Sequence, residues 1–432
     1  MKLYKYSSLL PVLAVLLFSS CKKDFSNPNA TLVKDALSNS VGLTGISIGV
    51  QKQYSVGRQS PLYNLVTANG FSTFELRLQN AGNVDEANLF TGGTSVDGNN
   101  NVLGNLWAQS LKVIFDANNV INNAQNLGDK NYASGLIGHA TIFKAMALGN
   151  LAMYWEQVPD TLGFNVSFVP KAQGFAKAIA AIDKALAAIA ANPISSQFLA
   201  NLPAGIEIPN TLQALKARYL LFSGNYSGAL ASANTVNLTV KSTMNFDAVS
   251  PNPIFNVATA TNNVFQVLDS TFGLIPALAP DPSDKRIAFY MAVNPTVAPR
   301  WRITGFGTAL STPWPVYLPG EMTLIKAEAY ARQSTPDLVN AIIELNKIRT
   351  KTTAADPFGV GAEQPVYTGL VTQADVLTEI YRQRCIELYM HGFKMEDIRR
   401  FGRPAGERKR NYFPYPFRER DNNTNTPPDP AG

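Results

Sequence analysis

Cysteine and histidine are scarce in this chain of 432 residues, which contains two of each. Both histidines, His139 and His391, lie within segments of helical periodicity. Two such residues do not favour a histidine-based nucleophilic site or metal site. We therefore expect structural roles for both histidines. We also expect neither a bound metal ion nor a cofactor.

Charge of one sign is not in large excess either. The 37 Lys and Arg residues against 31 Asp and Glu residues give a formal net charge of +6. Removal of an N-terminal segment that holds Lys2 and Lys5 would leave 35 against 31, which is +4. So mild an excess, spread over the chain, does not predict nucleic-acid binding.

The run from Leu9 to Phe18 is the longest apolar stretch, and it follows two lysines and precedes two serines and Cys21. That order is typical of a signal peptide over residues 1–20. A cysteine directly after small residues resembles a bacterial lipoprotein signal, with Cys21 as the lipidated new N-terminus. An ordinary secretory signal is the alternative. After lipidation of Cys21 only Cys385 would be free, which excludes an intramolecular disulfide in the mature protein.

Residues 21–30 are predicted to form a tether, because the polar sequence after Cys21 cannot bury a core. We expect a single domain over residues 31–432. The membrane association would then depend on the lipid of Cys21 alone.

Small and apolar residues recur at helical spacing in two long segments, about 105–237 and 321–401. Between Glu321 and Lys351, two such stripes flank a proline-containing turn. Farther upstream, Ala217 and Ala229 are twelve residues apart around a Gly-Asn-Tyr turn, which resembles a tetratricopeptide hairpin. The pattern predicts a mostly α fold of helical-pair repeats.

Glycine, asparagine and proline interrupt this periodicity in two other segments, about 60–101 and 238–319. We interpret both as loop-rich inserts. The second insert contains short apolar runs, Asn263 to Leu268 and Trp301 to Phe306, which predict a few short strands.

One charged pair falls within an apolar helix. Arg384 and Glu387 are three residues apart on one predicted face, where charges are costly unless each has a partner. The spacing predicts a structural ion pair between them.

Several segments together resemble the SusD/RagB family. They are the helix around Trp107 that ends in ANNVINNA, the alanine-rich helix before Tyr154, the run EMTLIKAEAYAR from Glu321, and RQRCIELYMHGFKMEDIRRFG from Arg382. The resemblance covers essentially the whole mature chain, although Gln383 stands where the family usually has a glutamate.

This resemblance implies a SusD-like α-α superhelix and a surface lipoprotein of the outer membrane that faces the cell exterior. Family members partner a TonB-dependent, SusC-like transporter and capture nutrients for it, most often glycans, without catalysis. A peptide cargo is one alternative. A scaffold subunit with little ligand binding of its own is another.

Aromatic and polar side chains of the inserts are the candidate glycan contacts, because flat rings offer apolar faces at low entropic cost. The stacking candidates are Tyr63, Phe71, Phe74, Trp301, Trp314 and Tyr317, and the polar candidates are Asn69, Arg77 and Asn80.

The acids Asp85, Glu86, Asp281 and Asp284 lack a recognisable catalytic context. We interpret them as ordinary surface acids, and we expect no enzymatic activity.

Overall fold

The computed structural model describes residues 33–294 and 301–431. The predicted signal peptide, Cys21 and the tether lie outside the described residues. The described chain is mostly α-helical with a few short strands, as the sequence predicts, although one strand pair, at residues 157–170, lies outside the predicted inserts. Its helices are α1 Val33–Ser38, α2 Ser40–Ser55, α3 Pro61–Ser72, α4 Val84–Thr91, α5 Asn101–Ala124, α6 Lys130–Tyr154, α7 Lys171–Ala191, α8 Ser196–Ala200, α9 Ile208–Phe222, α10 Tyr226–Thr235, α11 Lys285–Tyr290, α12 Pro319–Arg332, α13 Leu338–Arg349, α14 Gln373–Glu387, α15 Lys394–Arg400 and α16 Phe417–Asn422.

The strands form antiparallel pairs of two or three residues each. Strand β1 pairs with β5, β2 with β3, β4 with β8 and β6 with β7. Their bounds are β1 Leu76–Leu78, β2 Gln157–Pro159, β3 Phe168–Pro170, β4 Thr243–Met244, β5 Phe265–Val267, β6 Met291–Val293, β7 Trp301–Ile303 and β8 Trp314–Pro315.

The long helices pack in sequence as a superhelix. Helix α6 lies against α5 and α7, α9 packs against α10, and α10 leads to the α12–α13 hairpin. At the α9–α10 turn, Gly224 adopts a φ of +77°, and the Asn225 side chain accepts a hydrogen bond from the Gly228 amide. Ala217 and Ala229 are both fully buried, so the two backbones can approach closely. The predicted tetratricopeptide-like hairpin is present.

The α12–α13 hairpin carries its own apolar cluster. Leu324, Ala327 and Ala331 of α12 meet Leu345 and Ile348 of α13, and helix α14 completes the cluster. A single hairpin cannot bury its own apolar stripe, so the third helix is needed to exclude water.

Helix α6 is the central core element. Its length and hydropathy would suffice for a membrane span, but 83% of its most apolar window is buried inside the protein, as in the core helix of a globular fold. Helix α3 packs nearby, and all twelve of its residues are buried.

Helix α3 corrects the prediction that residues 60–101 form a loop-rich insert. The sequence pattern did not indicate this helix, because a helix buried on every side has no amphipathic stripe. Gly70 is required there, since a Cβ atom would lie 2.5 Å from the Leu76 side chain. Asn64 bonds backbone carbonyls of Arg58 and Ser60, which satisfies polar groups that a loop would expose to water.

The two histidines have structural roles, as expected. The His139 ring is buried and lies 2.8 Å from Ser47 Oγ and 3.0 Å from Gln51 Oε1. Burial lowers the pKa of His139 to about 4. His391 is also buried and packs against Trp314 and Phe306.

Acidification is expected to destabilise the protein through His139. Below its ordinary pKa of 6.5 the unfolded chain binds a proton that the folded ring does not, so the free energy of unfolding falls as the pH falls. From pH 7.5 to pH 5 this contribution is about 2 kcal/mol. Urea unfolding at both pH values measures it. On acidification, the free energy of unfolding of the variant His139→Gln should fall by about 2 kcal/mol less than that of the wild-type protein. An equal fall in both proteins would contradict the assignment of this effect to His139.

Candidate ligand-binding surface

Five of the nine predicted contact residues lie in the core. Tyr63, Asn69, Phe71, Trp314 and Tyr317 are each exposed by 3% or less. A buried ring has no free face on which a sugar can stack, so the prediction is corrected for the four aromatic residues. The amide of Asn69 is also occupied, since it donates to Glu75 and accepts from the Met395 backbone.

Insert aromatics fill the interior because the insert is itself folded against the helices. Phe71 makes edge contacts with Phe265 and Phe90. The hydroxyl of Tyr317 donates to the Val240 carbonyl at 3.1 Å. Burial of such large rings stabilises the fold by the hydrophobic effect. Sequence position in an insert therefore did not identify an exposed side chain.

The other four residues reach the surface. Arg77 and Asn80 are exposed and Phe74 is half-buried. Arg77 lies on β1 opposite Gln266 of β5, and its guanidinium has no hydrogen bond or ion pair within the described part of the chain. Asn80 donates to Asn263 Oδ1 at 2.9 Å. The Phe74 ring is covered by Lys409, whose amine lies 5.0 Å from the ring centre.

Trp301, the remaining residue, lines a pocket of about 420 Å³ in the second insert, which we call the Trp301 pocket. Its indole is half-buried, and Val293, its partner across the β6–β7 pair, is 56% exposed. Lys285 and Ser283 add an ammonium and a hydroxyl group. The lining residues are Pro282, Ser283, Asp284, Lys285, Ile287, Ala288, Met291, Ala292, Val293 and Trp301.

Strand β7 is fixed in place from behind. Ile303 is buried, and its amide donates to the buried Gln266 side chain of β5 at 2.9 Å. Strand β5 pairs with β1 and also contacts β7, so it links the strand of Arg77, which Asn80 follows, to the strand of Trp301. The structure thus brings together the elements of these three predicted residues.

A buried ionic network anchors the floor of the Trp301 pocket. Asp284 caps α11, and its carboxylate accepts two hydrogen bonds from Arg286, at 3.0 and 2.7 Å. Arg286 is fully buried and also reaches Glu387 at 3.1 Å and Gln383 at 2.7 Å. Lys351 supplies a second cation to Glu387.

The predicted ion pair between Arg384 and Glu387 is therefore replaced by two different ones. Arg384 pairs with Asp397 at 2.9 Å and approaches Glu328 at 3.8 Å, whereas Glu387 pairs with Arg286 and Lys351. Both residues are buried and structural, as expected. Their partners lie on other elements, 13 to 101 positions away, which helical spacing cannot reveal.

A second, more polar cleft of about 500 Å³ lies between α3, α4 and α5. We call it the amide cleft, because Asn64, Asn83, Asn101 and Asn105 line it together with Arg58 and Asp85. Asn83 also donates to the Asn263 carbonyl, which ties the cleft to the β1–β5 pair. These amides were not among the predicted contacts, although the richness of this segment in asparagine was the available signal.

Two of the four acids interpreted as surface residues are buried. Glu86 is 2% exposed and accepts from Arg58 at 2.6 Å, and Asp284 is held by Arg286. Asp281 is exposed, and the Ser283 hydroxyl lowers its pKa. Within residues 33–294 and 301–431, no group of three or more His, Cys, Asp and Glu side chains is arranged to hold a metal ion.

Comparison with known protein families gives one match. Residues 287–429, which contain β7 and the helices α12 to α16, match the model of the SusD family. The C-terminal third of the chain therefore matches the SusD family. No curated protein matches the sequence significantly.

The SusD-like fold extends over nearly the whole chain. A SusD homologue from Bacteroides thetaiotaomicron superposes with a TM-score of 0.72 at 12% identity, covering 93% of this chain and 99% of the homologue. B. fragilis NanU gives 0.68 at 13% identity, with 94% and 99% covered. A SusD-like carbohydrate binding protein from Bacteroides vulgatus gives 0.64 at 17% identity, with 85% and 84% covered.

The match over residues 287–429 agrees with the resemblance of the two C-terminal motifs to the SusD/RagB family. In this chain, Glu321 and Arg384 of these motifs are both buried in ion pairs. In this SusD-like protein the candidate binding residues are those of the Trp301 pocket and its neighbours Arg77 and Asn80.

Proposed function

We propose that this SusD-like protein captures a glycan at the cell surface and delivers it to a TonB-dependent, SusC-like outer-membrane transporter. The observation that carries the proposal is the Trp301 pocket, where a half-buried indole borders a concave surface. The carbohydrate-binding description of the B. vulgatus relative supports the ligand class.

Binding at this pocket follows from the chemistry of its lining. The C–H face of a sugar ring packs against the indole of Trp301, which is fixed by β7 and loses little entropy on binding. The Lys285 ammonium and the Ser283 hydroxyl are hydrogen-bonding groups for sugar hydroxyls at the edge of the ring. The free guanidinium of Arg77 lies on β1, beyond β5, and would extend the contacts for a longer glycan.

The proposal includes capture without bond cleavage. Glycoside hydrolysis normally requires two carboxyl groups on either side of the scissile bond. Asp284 is the only acid that lines the described pocket, and its carboxylate is occupied by the buried Arg286. The captured glycan would leave unchanged toward the transporter.

The proposed location is the outer membrane, through a lipid on Cys21 and a tether to residue 30. Residues 21–30 would allow the folded body to approach a transporter while it remains attached to the membrane. The match of residues 287–429 to the SusD family model supports this location.

Retardation in native gels that contain polysaccharides tests the proposal. Soluble protein beginning at Lys22 should be retarded by at least one glycan, with no new reducing ends formed. An oligopeptide pool should not reverse the retardation. Retardation that the peptides reverse would favour a peptide cargo. Absence of retardation by every glycan would favour a scaffold role. Formation of product would contradict capture without catalysis.

Co-purification of the lipidated protein with a barrel transporter tests the partner separately.

A further inference from the structure

A pocket of about 340 Å³ lies among the repeat helices, lined by different residues from those of the Trp301 pocket and the amide cleft. Helices α5, α6 and α7 form its walls, and the β2–β3 connection borders it. Leu111, Ile114, Leu148 and Leu151 make most of the wall apolar. This volume falls within the range of roughly 300–1,000 Å³ found for small-molecule sites.

Two lysines without partners line this pocket, which we call the lysine pocket. Neither Lys144 of α6 nor Lys184 of α7 has a hydrogen bond or an ion pair to a described residue. A third lysine, Lys177, is neutralised by Asp160 at 2.6 Å. The pocket therefore carries an excess positive charge on apolar walls.

The charge of Lys184 disfavours the charged form of the neighbouring Lys144. Lys144 is half-buried, and burial lowers its pKa, with a further contribution from the neighbouring charge of Lys184. A half-buried cation beside a second positive charge is unfavourable unless an anion compensates it. A carboxylate in reach of both amines would relieve this repulsion and replace lost hydration.

We propose that the lysine pocket binds a small amphiphilic carboxylate, with the carboxylate between Lys144 and Lys184 and the apolar body against Leu111, Leu148 and Leu151. A neutral sugar would leave the lysines uncompensated, and it would find few hydrogen-bonding groups on the leucine walls. An inorganic anion would leave the walls exposed to water. The chemistry thus favours a ligand with one charged end and one apolar end. This inference does not depend on glycan capture.

Calorimetric titration with octanoate tests the site, with octanamide as the neutral counterpart. We expect octanoate to bind the wild-type protein at least ten times more tightly than octanamide does. The double variant Lys144→Met/Lys184→Met should weaken octanoate binding at least tenfold, whereas Lys347→Met, a surface lysine on α13, should leave it unchanged. Binding by the double variant equal to wild type would overturn the proposal, as would absence of octanoate binding to the wild-type protein.

A second variant tests the same site if the lysine double variant does not fold. Ala181→Phe places a ring at the wall of the lysine pocket while both lysines remain. It should abolish the octanoate signal and preserve retardation by the glycan. Octanoate binding that survives this substitution would contradict the location. Octanoate should also leave glycan retardation of the wild-type protein unchanged, so the two proposals fail separately.

Discussion

Substitution of Trp301 by alanine is expected to weaken glycan binding by about 10- to 100-fold, which corresponds to about 1.4–2.7 kcal/mol. The indole is the largest ring with a free face in the Trp301 pocket, and alanine would remove that face along with its contact area. The helical core would remain, because Trp301 is half-buried at the edge of the β6–β7 pair. Calorimetry with the oligosaccharide of the retarding polymer measures the change.

The matched control for this prediction is Phe164→Ala. Phe164 is 81% exposed in the connection between β2 and β3, so its removal deletes an accessible ring elsewhere on the surface. Its affinity should equal that of the wild-type protein. An unchanged affinity in Trp301→Ala would instead contradict binding at the Trp301 pocket. The amide cleft would then be the candidate binding site. Alanine at Trp314 would be uninformative, because that ring is buried and its loss would disturb folding.

Substitution of Arg286 by methionine is expected to reduce the free energy of unfolding by about 3–5 kcal/mol. The change would leave the carboxylate of Asp284 without its buried partner and would remove one of the two cations that neutralise Glu387. An uncompensated buried charge is strongly destabilising because it has lost its hydration. The loss is a large part of the stability of an ordinary globular protein.

Urea unfolding at neutral pH measures the effect of Arg286→Met. The control is Lys112→Met, which removes the exposed i,i+4 pair with Asp116 and should change the stability by less than about 1 kcal/mol. A loss for Arg286→Met as small as that of the control would contradict the stabilising role of the network. Since Asp284 also lines the Trp301 pocket, surviving folded Arg286→Met protein should bind glycan more weakly as well.

The helical hairpins could be predicted from the sequence because their signals are local. Ala217 and Ala229, with the Gly224 turn between them, fix both the helices and the close contact of their backbones. The same is true of the stripes on α12 and α13. In each case the residues that form the hairpin are within about one helix length of each other, so periodicity and turn chemistry suffice.

Helix α3 could not be predicted because its signals depend on tertiary contacts. Asn64, Asn69 and Gly70 are typical of loops when only the sequence is considered. In the folded protein the two amides bond buried groups, and the glycine admits Leu76. The same limitation explains the binding residues. Tyr63 and Trp301 are both aromatic residues of inserts, and only packing distinguishes the buried ring from the accessible one.

The partners of the buried charges likewise could not be predicted from sequence spacing. Arg384 and Glu387 were expected to pair because they are three residues apart. Instead Glu387 is neutralised by Arg286, which is 101 positions away in the sequence. Long-range ion pairs of this kind are determined by the arrangement of whole helices.

A crystal structure of the protein with a bound oligosaccharide from the retarding glycan tests the central claim most directly. Capture at the Trp301 pocket predicts an intact sugar whose ring lies parallel to the Trp301 indole at van der Waals distance, with hydroxyl groups near Lys285 or Ser283. A sugar bound in the amide cleft or on the repeat helices, with the Trp301 pocket empty, would contradict the proposed site. A cleaved product at any site would contradict capture without catalysis.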